Sequence, residues 1–141
     1  RYTGVDIWPR GVELCKARFL TDGTKEFLLA DDPRADSVRA DLALSLDVIY
    51  HLTEDDTFEK YMHKLAAAGE KFLCIYSSDY DACTPAPHIR HRGFSDWLKR
   101  NAPNWKLVAT VRNPYPDDPA DPDNTTWADF SFFARERNTD A

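Results

Sequence analysis

The sequence predicts an α/β protein whose sheet is mostly parallel and ends in an antiparallel β-hairpin. Three observations carry this. Short apolar runs alternate with stretches of helical periodicity along most of the 141 residues. One run, KFLCIYS at 71–77, is apolar almost throughout, as strands buried on both faces are. Between the last two apolar runs no helical segment fits, so those two strands pair antiparallel.

Tyr2–Asp6 reads as a short strand that stops on a carboxylate. Pro9 suits a first helical turn, where its missing N–H costs nothing. Trp8, Val12, Cys15 and Phe19 follow at helical spacing and mark one buried stripe. Lys25–Ala30 is a second strand, ending on Asp31 and Asp32, and Asp41–Leu46 is a third. Thr53 and Asp56 have capping-box spacing, with Asp in place of the usual Glu. The helix that follows carries Phe58, Met62 and Leu65, and Gly69 is expected to close it in the left-handed conformation. Lys71–Ser77 is the fourth strand. TPAPHIRHRG, at 84–93, reads as a loop, and Phe94, Trp97 and Leu98 mark a helix that ends before Pro103. Trp105–Arg112 and Thr126–Arg135 are the closing strands, joined by an acidic, proline-rich loop.

The length suits a single domain with a real core. Apolar residues make up 43% and charged residues 30%, as in an ordinary globular protein. A net charge of −6 argues against a duplex nucleic-acid binder, which presents a basic face. No apolar run approaches the roughly 20 residues that span a membrane, and no signal peptide is visible. Cys15, Cys74 and Cys83 are scattered and odd in number, which fits reduced thiols and a cytoplasmic location. The chain starts at Arg1, close to a strand, and is expected to lack upstream sequence.

With these elements in order, GVDIWP, LLADD, ADLALSLDVIYHL, KFLCIYSSD and the closing hairpin resemble the class I S-adenosylmethionine-dependent methyltransferases. The resemblance runs from the family's second strand to its seventh. It implies a Rossmann-like three-layer sandwich, S-adenosyl-L-methionine as cofactor and a small-molecule acceptor, with no nucleic-acid or membrane partner. It also implies a single methyltransferase-like domain over 1–141 that is N-terminally incomplete. The family's first strand and glycine-rich loop have no counterpart in these residues, and a homo-oligomer is one way to supply a strand.

The resemblance places Asp6 at the ribose hydroxyls, where a carboxylate receives two charge-assisted bonds. The competing reading is an acid favoured by the helix dipole. Ile7 and Trp8 would lie against the adenine, and Trp8 is equally suited to anchor its helix in a core. Asp31 or Asp32 would accept from the adenine amino group, or else solvate a loop. Leu46 and Asp47 would line the methionine end of the cofactor. Tyr50 would contact the acceptor. His51 is the candidate general base, since histidine suits proton transfer near neutral pH, although packing at the helix start explains it as well.

Ser77, Ser78 and Asp79 end a buried strand and so lie at the ligand edge, Ser78 and Asp79 being the substrate candidates. His88, Arg90, His91 and Arg92 concentrate base in an acidic chain. They suggest an anionic acceptor, or a local balance to the Asp-rich loops; a sugar or another metabolite is the acceptor expected with the methyltransferase resemblance. The histidines lack metal-ligand spacing, so no metal is expected. Two further readings stand beside methyl transfer: a non-catalytic module of the same fold kept for binding or assembly, and a nucleotide-dependent oxidoreductase. The antiparallel finish argues against the second.

Overall fold

The computed structural model describes residues 1–136. They fall into two compact units, Arg1–Val38 and Arg39 onward.

The first unit is a β-α-β crossover. Strands β1 (Tyr2–Asp6) and β2 (Lys25–Leu29) pair in parallel, from Tyr2 opposite Lys25 to Asp6 opposite Leu29. Helix α1 (Pro9–Arg18) joins them, with Pro9 in its first turn as its fixed φ favours. Val12 and Leu28 are buried at 4% and 2% exposure, and Phe19 stacks on Phe27 at 5.6 Å. Trp8 does not join the stripe. It is 58% exposed, because it forms the extended entry to the helix and its ring lies over Gly11. A short 3-10 turn, Pro33–Ser37, closes the unit.

The second unit is built on β3 (Ala40–Leu46), α2 (Asp55–Ala68), β4 (Gly69–Ser77), α3 (Phe94–Asn101), β7 (Trp105–Val111) and β8 (Asp129–Arg135). Two-residue strands β5 (Ala82–Cys83) and β6 (Arg90–His91) form a small antiparallel ladder inside the segment read as loop. The four-stranded sheet has the order β3-β4-β8-β7. Only β3 and β4 are parallel, and β4–β8 and β8–β7 are antiparallel. The closing hairpin is as expected, but the sheet is mixed. The physical reason is that β8 returns without a helix and inserts beside β4, which forces two antiparallel ladders.

Helices α2 and α3 bring Phe58, Met62, Leu65, Phe94, Trp97 and Leu98 to a core shared with Ala43, Leu73, Ile75 and Phe133. Burying each large apolar side chain contributes about 1.5–3 kcal/mol. Tyr61 donates to Ser45 Oγ at 2.7 Å, a polar link from helix to strand within that layer. Leu42, Leu44 and Leu46, which alternate with buried Ala43 and Ser45, stay 46–49% exposed, and Phe72 opposite Leu42 is 50% exposed. The half-exposed apolar side chains lie on β3 and at Phe72, whereas Leu73, Cys74 and Ile75 of β4 are all buried, so β4 is covered on both faces over that stretch, as its apolar run predicts.

Two local expectations change. Gly69 is extended, with φ −79°, and opens β4 directly after the helix. Its need for glycine is space, since a Cβ would lie 2.7 Å from a Leu73 methyl and 3.0 Å from the Phe72 carbonyl oxygen. Thr53 does not cap α2. Glu54 holds the cap position without a side-chain cap bond, and the Thr53 carbonyl is taken by arginine donors.

Candidate functional site

In the first unit β1 ends on Asp6, and Asp31 and Asp32 follow two and three residues after the end of β2. Asp6 Oδ1 accepts from the Trp8 backbone N–H at 2.9 Å, which fixes the turn into α1. Its other oxygen has no donor among the described residues, and the carboxylate is exposed. Ile7 and Trp8 beside it are 85% and 58% exposed. After β2, Asp32 receives the backbone N–H and guanidinium of Arg34, which hold its carboxyl down at about 2. No described residue donates to Asp31, which is exposed, so of the two it is Asp31 that is open to a ligand.

In the second unit β3 ends at Leu46, half exposed, and Asp47 follows with φ 58°. Asp tolerates this left-handed region better than most residues. The turn keeps Asp47 N–H on the Tyr76 carbonyl at 3.0 Å and aims Oδ1 at the Tyr50 hydroxyl, 2.5 Å away. Burial, and then the Asp47 carboxylate, push the Tyr50 phenol well above its ordinary value, so Tyr50 is a fixed donor. His51 sits exposed at the end of the short helical turn Ile49–His51. Its Nδ1 lies 3.2 Å from the His88 carbonyl oxygen. A carbonyl only accepts, so Nδ1 carries a hydrogen, and in the neutral ring the lone pair is then on Nε2.

The end of β4 is more structural than the sequence suggested. Asp79 Oδ1 accepts from Ser95 N–H and Asp81 Oδ1 from Gly93 N–H, so both acids hold the start of α3. Ser78 is buried, with its Oγ 2.7 Å from His91 Nδ1. His91 is 5% exposed, and burial lowers its pKa against the opposing pull of Asp117.

The arginines of the basic cluster turn inward. Arg92, 4% exposed, donates to the Leu52 carbonyl at 2.9 and 3.1 Å and to the Thr53 carbonyl at 2.8 Å, pairs with Asp55, and lies over the Phe58 ring. Arg90 donates to the same Thr53 carbonyl and to Asp55. All three nitrogens of Arg92 are used by the fold, whereas Arg90, about one-third exposed, engages only Nη1 among the described residues, so of the two it is Arg90 that is open to an anionic ligand.

Aromatic rings emerge that sequence reasoning passed over. Tyr80 lies 4.5 Å from His91, His91 meets Trp127 edge-on at 5.1 Å, and Trp127 meets Tyr50 at 5.9 Å. The available signals were the tyrosine within SSDYD and the tryptophan that opens the last apolar run. Among the described residues no group of three or more His, Cys, Asp or Glu side chains is placed to hold a metal, and no helix is long and apolar enough to cross a membrane.

No family model and no curated protein matches the chain. Solved structures do. The N-methyltransferase NodS from Bradyrhizobium japonicum WM9 superposes with a TM-score of 0.69 at 16% identity, over 97% of this chain and 74% of that one. The methyltransferase domain of bacterial CtHen1-C gives 0.65 at 14%, over 96% and 77%. Magnesium protoporphyrin IX methyltransferase (ChlM) from Synechocystis PCC 6803, solved with bound SAM, gives 0.64 at 15% identity, over 95% and 59%. Over nearly the whole chain the α/β fold, with its mixed sheet, is that of S-adenosylmethionine-dependent methyltransferases of class I.

Proposed function

We propose that this protein transfers a methyl group from S-adenosyl-L-methionine to a small-molecule acceptor. The observation that carries the reading is the methyltransferase fold, with exposed carboxylates at or just beyond the carboxyl ends of both parallel strands of the first unit. Asp6 would take the ribose hydroxyls through its open oxygen, Ile7 and Trp8 would offer apolar surface to the adenine, and Asp31, more than Asp32, would accept from the adenine amino group. Leu46 and Asp47 would meet the methionine end. His51 Nε2 would take the acceptor's proton. Tyr50, Ser78, His88 and His91 would serve the acceptor side, with Asp79, Arg90 and Arg92 positioning the segments that carry them.

The sulfonium supplies the activated methyl group. The protein's contribution is to orient the acceptor and exclude water. The reading includes the Rossmann-like three-layer arrangement and one domain over 1–141. Strands β1 and β3 each pair on one side only. The open edge of either sheet is a place where a second copy of the chain would pair, which is the support for a homo-oligomer. Three free cysteines support a reducing, cytoplasmic setting.

Calorimetry with S-adenosylmethionine tests the reading, followed by transfer of labelled methyl to small acceptors. Asp6→Ala is expected to weaken cofactor binding by about 1.5–3 kcal/mol, the range for hydrogen bonds to a charged group. A folded protein that binds no S-adenosylmethionine sinks the reading and leaves the non-catalytic module, which the half-exposed leucines of β3 also favour.

A further inference from the structure

The two imidazoles on the acceptor side, His51 and His91, are held in opposite tautomers. In the neutral His51 ring the lone pair is on Nε2, since Nδ1 bonds the His88 carbonyl. His91 is fixed by Ser78. The Ser78 side chain is buried, and His91 Nδ1 is its one hydrogen-bond partner among the described residues. A buried hydroxyl hydrogen needs an acceptor. With Nδ1 alone in reach, Ser78 donates and Nδ1 accepts. The neutral ring therefore carries its hydrogen on Nε2. That nitrogen has no partner among the described residues, yet it is not among the fully enclosed polar atoms without partners, which are Ser77 Oγ and Ser95 Oγ. It is thus a donor without a hydrogen-bond partner among the described residues and not fully enclosed, on a ring that also feels the Asp117 carboxylate.

The rings packed against the His91 imidazole give its surroundings an aromatic character. Tyr80 and Trp127 flank His91 at 4.5 and 5.1 Å and are themselves 46% and 38% exposed. Exposed aromatic faces favour a flat ligand. We infer that His91, Tyr80 and Trp127 form an acceptor subsite for a planar aromatic compound bearing an oxygen acceptor, a carbonyl or ether oxygen that receives the His91 Nε2 hydrogen. The inference rests on the methyl-transfer reading for the word acceptor. His91 then anchors the ligand and does not take its proton, which leaves that task to His51.

The test uses the protein without S-adenosylmethionine, so that it stands apart from cofactor binding. Nitrogen-15 NMR of the unsubstituted protein should show the His91 hydrogen on Nε2 and the His51 hydrogen on Nδ1. The probes are 4-hydroxyacetophenone and 4-ethylphenol, which share ring and hydroxyl and differ by the ketone oxygen. The ketone is expected to bind roughly three- to tenfold tighter, the span of one net hydrogen bond. His91→Phe, which keeps an aromatic ring, should abolish that preference. A hydrogen on His91 Nδ1, equal affinities for the two probes, or binding of neither overturns the inference. Selective ketone binding in a protein that binds no S-adenosylmethionine supports the subsite and removes the methyl-transfer reading alone.

Discussion

Arg92→Ala should cost the second unit much of its stability. Its side chain is 4% exposed, and it gives three hydrogen bonds to the carbonyls of Leu52 and Thr53 at 2.8–3.1 Å. The Arg90 bond to Thr53 remains in the variant, so the Leu52 carbonyl is left without its donors and Thr53 keeps one. An unsatisfied buried polar group costs roughly 1–3 kcal/mol, and the guanidinium's packing over Phe58 at 4.9 Å is worth on the order of 1 kcal/mol more. The expected loss is therefore about 2–4 kcal/mol, against a total of about 5–15 kcal/mol for an ordinary domain. The Asp55 ion pair is left out of this sum, because Asp55 is 71% exposed and solvent screens it. Urea denaturation followed by far-UV circular dichroism measures the change. Arg92→Lys should recover only part, because one ammonium cannot replace a planar fork that reaches two carbonyls. A loss below about 0.5 kcal/mol for the alanine variant, the ordinary scatter of surface substitutions, would show that the guanidinium is not holding these carbonyls.

Gly69→Ala should destabilise by about 1–3 kcal/mol through overpacking against Leu73 and the Phe72 carbonyl, and thermal unfolding reads it. Tyr61→Phe strands the buried Ser45 hydroxyl at a cost of roughly 1–3 kcal/mol, whereas Tyr61→Phe with Ser45→Ala should recover most of it in a double-mutant cycle. Asp22 and Asp32 titrate at about 2, held there first by their side-chain bonds from Lys25 and Arg34. Their folded pKa values lie below the unfolded ones, so their contribution to stability is present above about pH 4 and is lost as pH falls toward 2. Carboxyl carbon-13 titration should give midpoints near 2, and midpoints near 4 would refute both contacts.

How far the sequence reveals this protein depends on the range of the physics involved. Strand and helix identities came from periodicity and local turn chemistry, and they hold for β1, α1, β2, β3, β4 and the closing pair. Gly69 was identified as special for the wrong reason, because a close approach by Leu73 and Phe72 leaves no mark in spacing. The basic cluster at 88–92 shows the same limit. Charge alone cannot tell an arginine that faces a ligand from one that ties down carbonyls some 40 positions away. The capping-box spacing of Thr53 and Asp56 failed because those carbonyl contacts occupy Thr53. At the candidate site, positions at strand ends were legible, since alternation fixes where strands stop. The ring sequence Tyr80, His91, Trp127 and Tyr50 was not, because it joins four separate segments.

The sheet of the second unit carries Leu42, Leu44, Leu46, Phe72 and Val111 at 46–53% exposure in the folded chain. Such side chains are already half hydrated before unfolding starts, so unfolding adds less new apolar contact with water than the chain's length implies. Apolar hydration is what raises the heat capacity on unfolding. The heat-capacity increment of these residues should therefore fall below the usual ~12–15 cal/mol/K per residue, and the urea dependence of unfolding should be correspondingly shallow. A small increment flattens the curve of stability against temperature. The calorimetric trace would be that of a protein whose stability changes slowly on warming and whose cold limit lies far below that of a fully covered domain.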